Sequence, residues 1–170
     1  MERERQRSLG DRMLGAATLN IDVFEEVEAD ATATKQAALV VALVALASAA
    51  GGVRSGAPGA INAIVAAYVG WLLWSGITYL IGDKLLGGTA TWGELLRTIG
   101  FAQSPGVLYI LGVIPFLGWL ATLIVGIWIL LAVIIAIRQA LDFGTGRAIL
   151  TAILGFIPYV ILSAFLRVGG

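Results

Sequence analysis

"GFAQSPGVLYILGVIPFLG", Gly100 to Gly118, has mostly the composition of a membrane span, yet it contains a glutamine, a serine and two prolines. Whether this stretch crosses decides between a five-span and a four-span fold. Trp92 to Ile114 is 23 residues, long enough to cross if the helix tolerates Pro105, whose ring removes one hydrogen bond and crowds the carbonyl of Phe101.

The flanking segments read more simply. Ala37 to Val53, Ala60 to Gly82 and Leu117 to Ile137 carry at most one charge between them, and a span needs about 20 such residues. Of the 170 residues, 59% are hydrophobic and 13% charged, more apolar surface than a soluble fold of this size hides. The chain is therefore read as an all-α, multi-pass membrane bundle. Residues 30–170 are expected to form five spans, at about 30–52, 60–82, 92–114, 118–139 and 147–168, with "VRSGAPG" (53–59) as a breaker-rich turn. Asp30 and Thr145 are expected N-caps, and Thr91 with Glu94 has capping-box spacing that starts a helix at Trp92.

Up to Lys35 the chain carries eight acids and five bases. Met13, Ala17, Ile21, Phe24 and Val27 recur at helical spacing, as on an amphipathic helix lying on a surface. "TLN" (18–20) and the cap-type residues Asn20 and Asp22 divide residues 1–29 into two interfacial helices, about Ser8 to Thr18 and Asp22 to Ala29. "MERERQRSLGDRM" leads into no apolar run, so neither a signal peptide nor a lipidation signal is expected. With five spans and an inside N-terminus, nine bases fall inside (Arg3, Arg5, Arg7, Arg12, Lys35, Lys84, Arg97, Arg138 and Arg147) and two outside (Arg54 and Arg167). Without the third crossing the balance is eight to three, so the positive-inside rule favours five spans and a cytosolic N-terminus.

There is no cysteine and no histidine, which removes disulfides, thiolate chemistry, histidine haem ligation and Cys/His zinc sites. The middles of the spans carry no charge, which argues against a proton relay, a carboxylate ion site or a voltage sensor. Ser75 has no base in its span to activate it, and no cluster offers metal-ligand spacing. No enzyme activity, cofactor or metal is expected.

Gln103, Ser104 and Pro105 form either a broken helix around a site or a kink whose freed carbonyl Ser104 satisfies; the kink is the expected outcome. Ala38, Ala42, Ala45 and Ala49 form a small-residue stripe suited to close helix packing. Glu94 and Arg97 are expected near the headgroups, and Asp142 with Arg147 in an interfacial ion pair or cap. The acids from Asp22 to Asp30 lack a calcium-loop pattern and read as a solvated helix face. Trp74 and Trp128 fall deep enough to pack rather than anchor.

"RMLGAATLNIDVFEEVEADATATKQAALVVALVALASAAGG", then "GELLRTIGFAQSPGVLYILGVIPFLG", "WILLAVIIAIRQAL" and "RAILTAILGFIPYVIL", resembles the prokaryotic branch of the Yip family, membrane proteins related to eukaryotic Ypt/Rab-interacting proteins. The likeness covers about Leu9 to Val168. It implies a five-span fold with a cytosolic N-terminus, in the cytoplasmic membrane of a prokaryote. The vesicle-traffic role of eukaryotic members is not carried over, because their long N-terminal cytosolic region has no counterpart here. The expected function is a non-enzymatic membrane-organising scaffold or accessory subunit acting through helix packing. Its expected partners are membrane lipids and other membrane subunits or itself, not nucleic acid. The alternative is a passive channel or lipid-handling protein using the kinked third span together with Gly112, Gly118 and Gly126.

Overall fold

A computed structural model describes residues 7–52, 60–114 and 116–168. The expected turn at 53–59 and the charges Arg3, Arg5 and Arg54 lie outside the described residues, as do the side chains of Ser163 and Arg167. The elements are α1 (Leu9–Ala17), α2 (Ile21–Ala29), α3 (Ala33–Ala50), α4 (Ala60–Tyr79), α5 (Trp92–Ala102), a 3₁₀ helix (Ser104–Val113), α6 (Gly118–Ala140) and α7 (Thr145–Val168). A π-helical turn, Leu80–Leu85, extends α4. Among the described residues, three helices are long and apolar enough to cross a membrane: Ala33–Ala50, Ile61–Leu85 and Gly118–Ala140.

Local signals set most of the ends. Ser8 caps α1 and Thr91 caps α5, each in a reciprocal capping box with the acid three residues on, Asp11 and Glu94. Asn20 Oδ1 caps α2 by accepting from Asp22 N at 2.9 Å, and Leu19, at φ 60°, turns the chain between α1 and α2. Two expected caps fall elsewhere. α3 starts after Thr32, leaving Asp30 to accept from the Thr32 backbone N–H and hydroxyl at 2.9 and 2.6 Å, as turn-forming acids do. Thr145 is the first residue of α7 itself.

The expected single kinked helix over 92–114 is instead two helices of different pitch. Pro105 has no N–H for the Phe101 carbonyl, and α5 stops at Ala102. Ser104 Oγ donates to that carbonyl at 2.6 Å, and ten residues of 3₁₀ helix follow. A 3₁₀ helix has three residues per turn, so residues three apart align on one edge. Gly106, Tyr109 and Gly112 form that edge, and it faces α3. A methyl group on Gly106 would sit 2.5 Å from Val44 Cγ1, and one on Gly112 would overlap the Gly51 carbonyl, whose own Cα lies against the Tyr109 carbonyl. Gly100 makes the same approach one step earlier, where an added methyl would lie 2.8 Å from Ala37 Cβ. The segment therefore runs parallel to α3, matching residue 100 with 37, 106 with 44, and 109–112 with 51.

Five elements close a ring: α3 packs on α4, α4 on α7, α7 on α6, α6 on the 3₁₀ helix, and the 3₁₀ helix on α3. α5 fills the centre at one end, touching α3, α4 and α6, with Leu95, Ile99, Phe101 and Ala102 completely buried. Trp71 Nε1 fixes α5 to α4 through the Leu96 carbonyl at 3.0 Å. The α1–α2 hairpin packs on α5, α6 and the 3₁₀ helix. Past Gln103 the chain steps from the centre of the bundle to its rim. The buried face of α3 is Ala37, Val40, Val41, Val44, Ala45 and Ser48; of the expected stripe Ala45 is buried, while Ala38, Ala42 and Ala49 are half-buried at its edges.

The backbone-to-backbone approach at Gly112 leaves no room to yield. Gly112→Ala should cost about 1–3 kcal/mol, whereas Gly126→Ala, whose added methyl meets only Tyr109 Oη at 3.9 Å, should be neutral or slightly stabilising. Unfolding midpoints of the two variants in detergent check this; equal midpoints would contradict the close packing.

Candidate functional site

The sequence places α1 and α2 on a membrane surface; the structure clamps them to the bundle. Arg12 looks like a solvent-facing charge, yet it is 2% exposed. Its Nη2 lies 2.7 Å from Asp30 Oδ2 and 2.9 Å from Glu26 Oε1. Its Nε donates to Glu26 Oε1 at 3.0 Å and its Nη1 to Gln36 Oε1 at 2.9 Å. Arg7 pairs with the other Glu26 oxygen at 2.5 Å. One guanidinium thus joins α1, α2, the turn after it and α3, in the planar multidentate manner that arginine favours. Phe24 and Val27 of the expected apolar face are buried, joined by Ala16 and Val23, while Ile21 is exposed.

Arg97, expected with Glu94 near the headgroups, is buried within the protein at 8% exposure. Its Nε donates to the carbonyls of Val27 and Glu28 at 2.9 and 3.0 Å, and its Nη2 donates to Glu28 as well. These carbonyls end α2 and have no partner within it, and a cation there also complements the helix dipole. Glu94 remains at the N-terminus of α5, accepting from Thr91 N at 2.7 Å. Asp142 and Arg147 do not pair with each other. Asp142 accepts from Thr89 Oγ1 at 2.7 Å, and Arg147 lies over the Phe143 ring at 5.6 Å. Two further bonds hold the hairpin to α6: Trp128 Nε1 donates to Ala17 O at 2.7 Å and Gln139 Nε2 to Glu25 Oε1 at 2.9 Å. Sequence reasoning missed Arg12 and Gln36 altogether.

The second cluster lies where α5 ends. Ser104 and Pro105 are buried and spent on the helix junction. Gln103 is different. Its backbone N–H and C=O serve the junction, to Gly100 O at 3.3 Å and from Gly106 N at 2.8 Å, but its side-chain amide has no hydrogen-bond partner among the described residues. It lines a partly open cavity of about 250 Å³ together with Ser48, Trp71, Trp74, Tyr109 and Ile129. The void follows from the step to the rim: α5 has left the centre, and the facing residues of α3 and α4 there are mostly alanine, glycine and valine.

The hairpin also carries the one strongly raised carboxyl among the described residues. Glu28 is pushed up to about 7, first by burial and then by Glu94 and Asp142, with Glu25 adding to this and Arg97 opposing it. A carboxyl raised in the fold above its ordinary value binds its proton more tightly folded than unfolded. Stability is therefore highest at low pH on this account and falls as pH rises from the ordinary carboxyl range through about 7. Asp11 and Asp30 are shifted the other way, lowered by Ser8 and by Thr32 with Arg12, and act only at more acid pH. Glu28→Gln should raise the melting temperature at pH 8 and flatten its dependence between pH 5 and 8; an unchanged pH profile would contradict the assignment.

These features sit in a chain of which residues 21–166 match the model of the Yip1 domain. Neither a curated protein nor a solved structure matches it. The matched range takes in α2, the ring and the central α5 with its 3₁₀ continuation. The chain is a membrane protein of the Yip1 domain family.

Proposed function

We propose that the chain is a five-span, non-enzymatic scaffold or accessory subunit in a prokaryotic cytoplasmic membrane, with its hairpin in the cytosol. The distribution of positive charge, nine bases against two, supports that orientation. The third crossing draws support from dimensions: about 16 Å of α-helix and about 20 Å of 3₁₀ helix exceed a hydrocarbon core of about 30 Å.

One observation carries the scaffold reading. The hairpin is polar and small, yet buried Arg12 and Arg97 hold it rigidly, so its outer face is a fixed surface rather than a loose tail. The exposed residues of the hairpin include Asp11, Leu14, Ile21 and Asp22, with Leu14 66% exposed. Apolar side chains ringed by acids suit a protein partner with basic groups at its rim. Arg7, Arg12, Glu26 and Asp30 act as clamps and Asp11 as a cap, which fits a binding rather than a chemical role. The second reading, passage or handling of lipid at Gln103 to Pro105, has the cavity in its favour.

Removing residues 1–29 would strip a packed flank from α5 and leave the Arg97 guanidinium without its carbonyl acceptors, so the informative change is on the surface. The particle extracted from native membranes in mild detergent should have a fixed stoichiometry with other subunits. Leu14→Glu combined with Ile21→Lys should release them while leaving the melting temperature unchanged. A lone particle from the wild type, or a complex indifferent to both substitutions, would overturn the reading.

A further inference from the structure

We propose that the cavity beside Gln103 binds a neutral, planar, membrane-soluble molecule that carries carbonyl acceptors, a class to which quinones belong. This stands apart from the scaffold reading and rests on the cavity alone.

Charge comes first. None of the lining residues is ionisable at neutral pH, and an ion placed among apolar helices without a counter-charge costs several kcal/mol. The ligand is therefore neutral. A purely apolar occupant such as an acyl chain would leave the Gln103 amide unpaired, and an unmet amide away from water costs about 1–3 kcal/mol. An acceptor within reach of that amide removes the penalty, and the Ser48 hydroxyl on the α3 wall offers a second polar group.

Shape and size come next. An apolar cavity of about 150 Å³ accepts a benzene ring, and this one is about 250 Å³, room for a single ring with substituents. Trp71, Trp74 and Tyr109 line it, and aromatic walls favour a flat ring by stacking or edge-to-face contact. The cavity is partly open, so a substituent chain has a way out. The Gln103 amide would hold the ring by its carbonyl, and the indoles would hold its faces.

The test uses the intact chain in phosphatidylcholine nanodiscs, titrated with decylubiquinone while tryptophan fluorescence is followed, since Trp71 and Trp74 would touch the bound ring. A saturable quenching component of about one quinone per chain is expected. Gln103→Leu should weaken its half-saturation about fivefold, the worth of one hydrogen bond. Ala45→Leu, which fills the cavity from α3 and leaves Gln103 unaltered, should abolish it and keeps the test decisive if the Gln103 variant does not fold. Quenching that is merely linear in quinone content would overturn the proposal and leave a water-filled void. So would a saturable component unaltered by Ala45→Leu, or one that palmitic acid displaces equally well, which would assign the cavity to an acyl chain.

Discussion

Phe101 has a carbonyl that Pro105 cannot satisfy, and the whole bundle is arranged around the way that debt of one hydrogen bond is met. In a membrane an unmatched backbone group has no water to turn to. Ser104 Oγ takes it at 2.6 Å, and the chain continues with 3₁₀ rather than α geometry. Long 3₁₀ runs are uncommon because side chains three apart eclipse one another. Here that alignment is used, since it brings Gly106 and Gly112 onto one edge against α3. The change of pitch carries the chain from the centre of the bundle to its rim, which fills one end with α5 and leaves the cavity where α5 stops.

The hairpin is the counterpart of that step. At the end where α5 is central, its outer flank is covered by α1 and α2. Their attachment is polar as much as apolar: Arg12 to Glu26, Asp30 and Gln36, Arg97 to the end of α2, Trp128 to Ala17. A buried guanidinium is costly unless its donors are matched; Arg12 has acceptors on three of its nitrogens. Such a network specifies one docked geometry, which a sliding apolar face would not do.

Features governed by neighbours in sequence were legible. The Thr91 and Glu94 capping box, the break at "TLN" and the apolar lengths of α3, α4 and α6 follow from local chemistry. Arg12 was not legible, because a charge on an amphipathic helix ordinarily faces water and its acceptors lie up to 24 residues away. The burial of Arg97 was hidden for the same reason. The 3₁₀ helix did leave a trace: Gly106 and Gly112 lie six residues apart, two turns of a three-residue helix. A reading tuned to the α-helical period of 3.6 passes over it. The alanine stripe was close to the true α3 face but one position off, because valines, not alanines alone, make that contact.

Whether Trp92 to Val113 crosses the membrane in two pitches is the claim on which topology, hairpin placement and cavity all depend. The chain has no native cysteine, so single introduced thiols report sidedness directly. Phe116, after the 3₁₀ helix, is 92% exposed, and Arg147 lies on the exposed start of α7. With an impermeant maleimide on intact cells, Phe116→Cys should be labelled and Arg147→Cys should react only after permeabilisation. The reverse pattern, Arg147→Cys labelled on intact cells and Phe116→Cys only after permeabilisation, would mean that Trp92 to Val113 does not cross and would contradict the account.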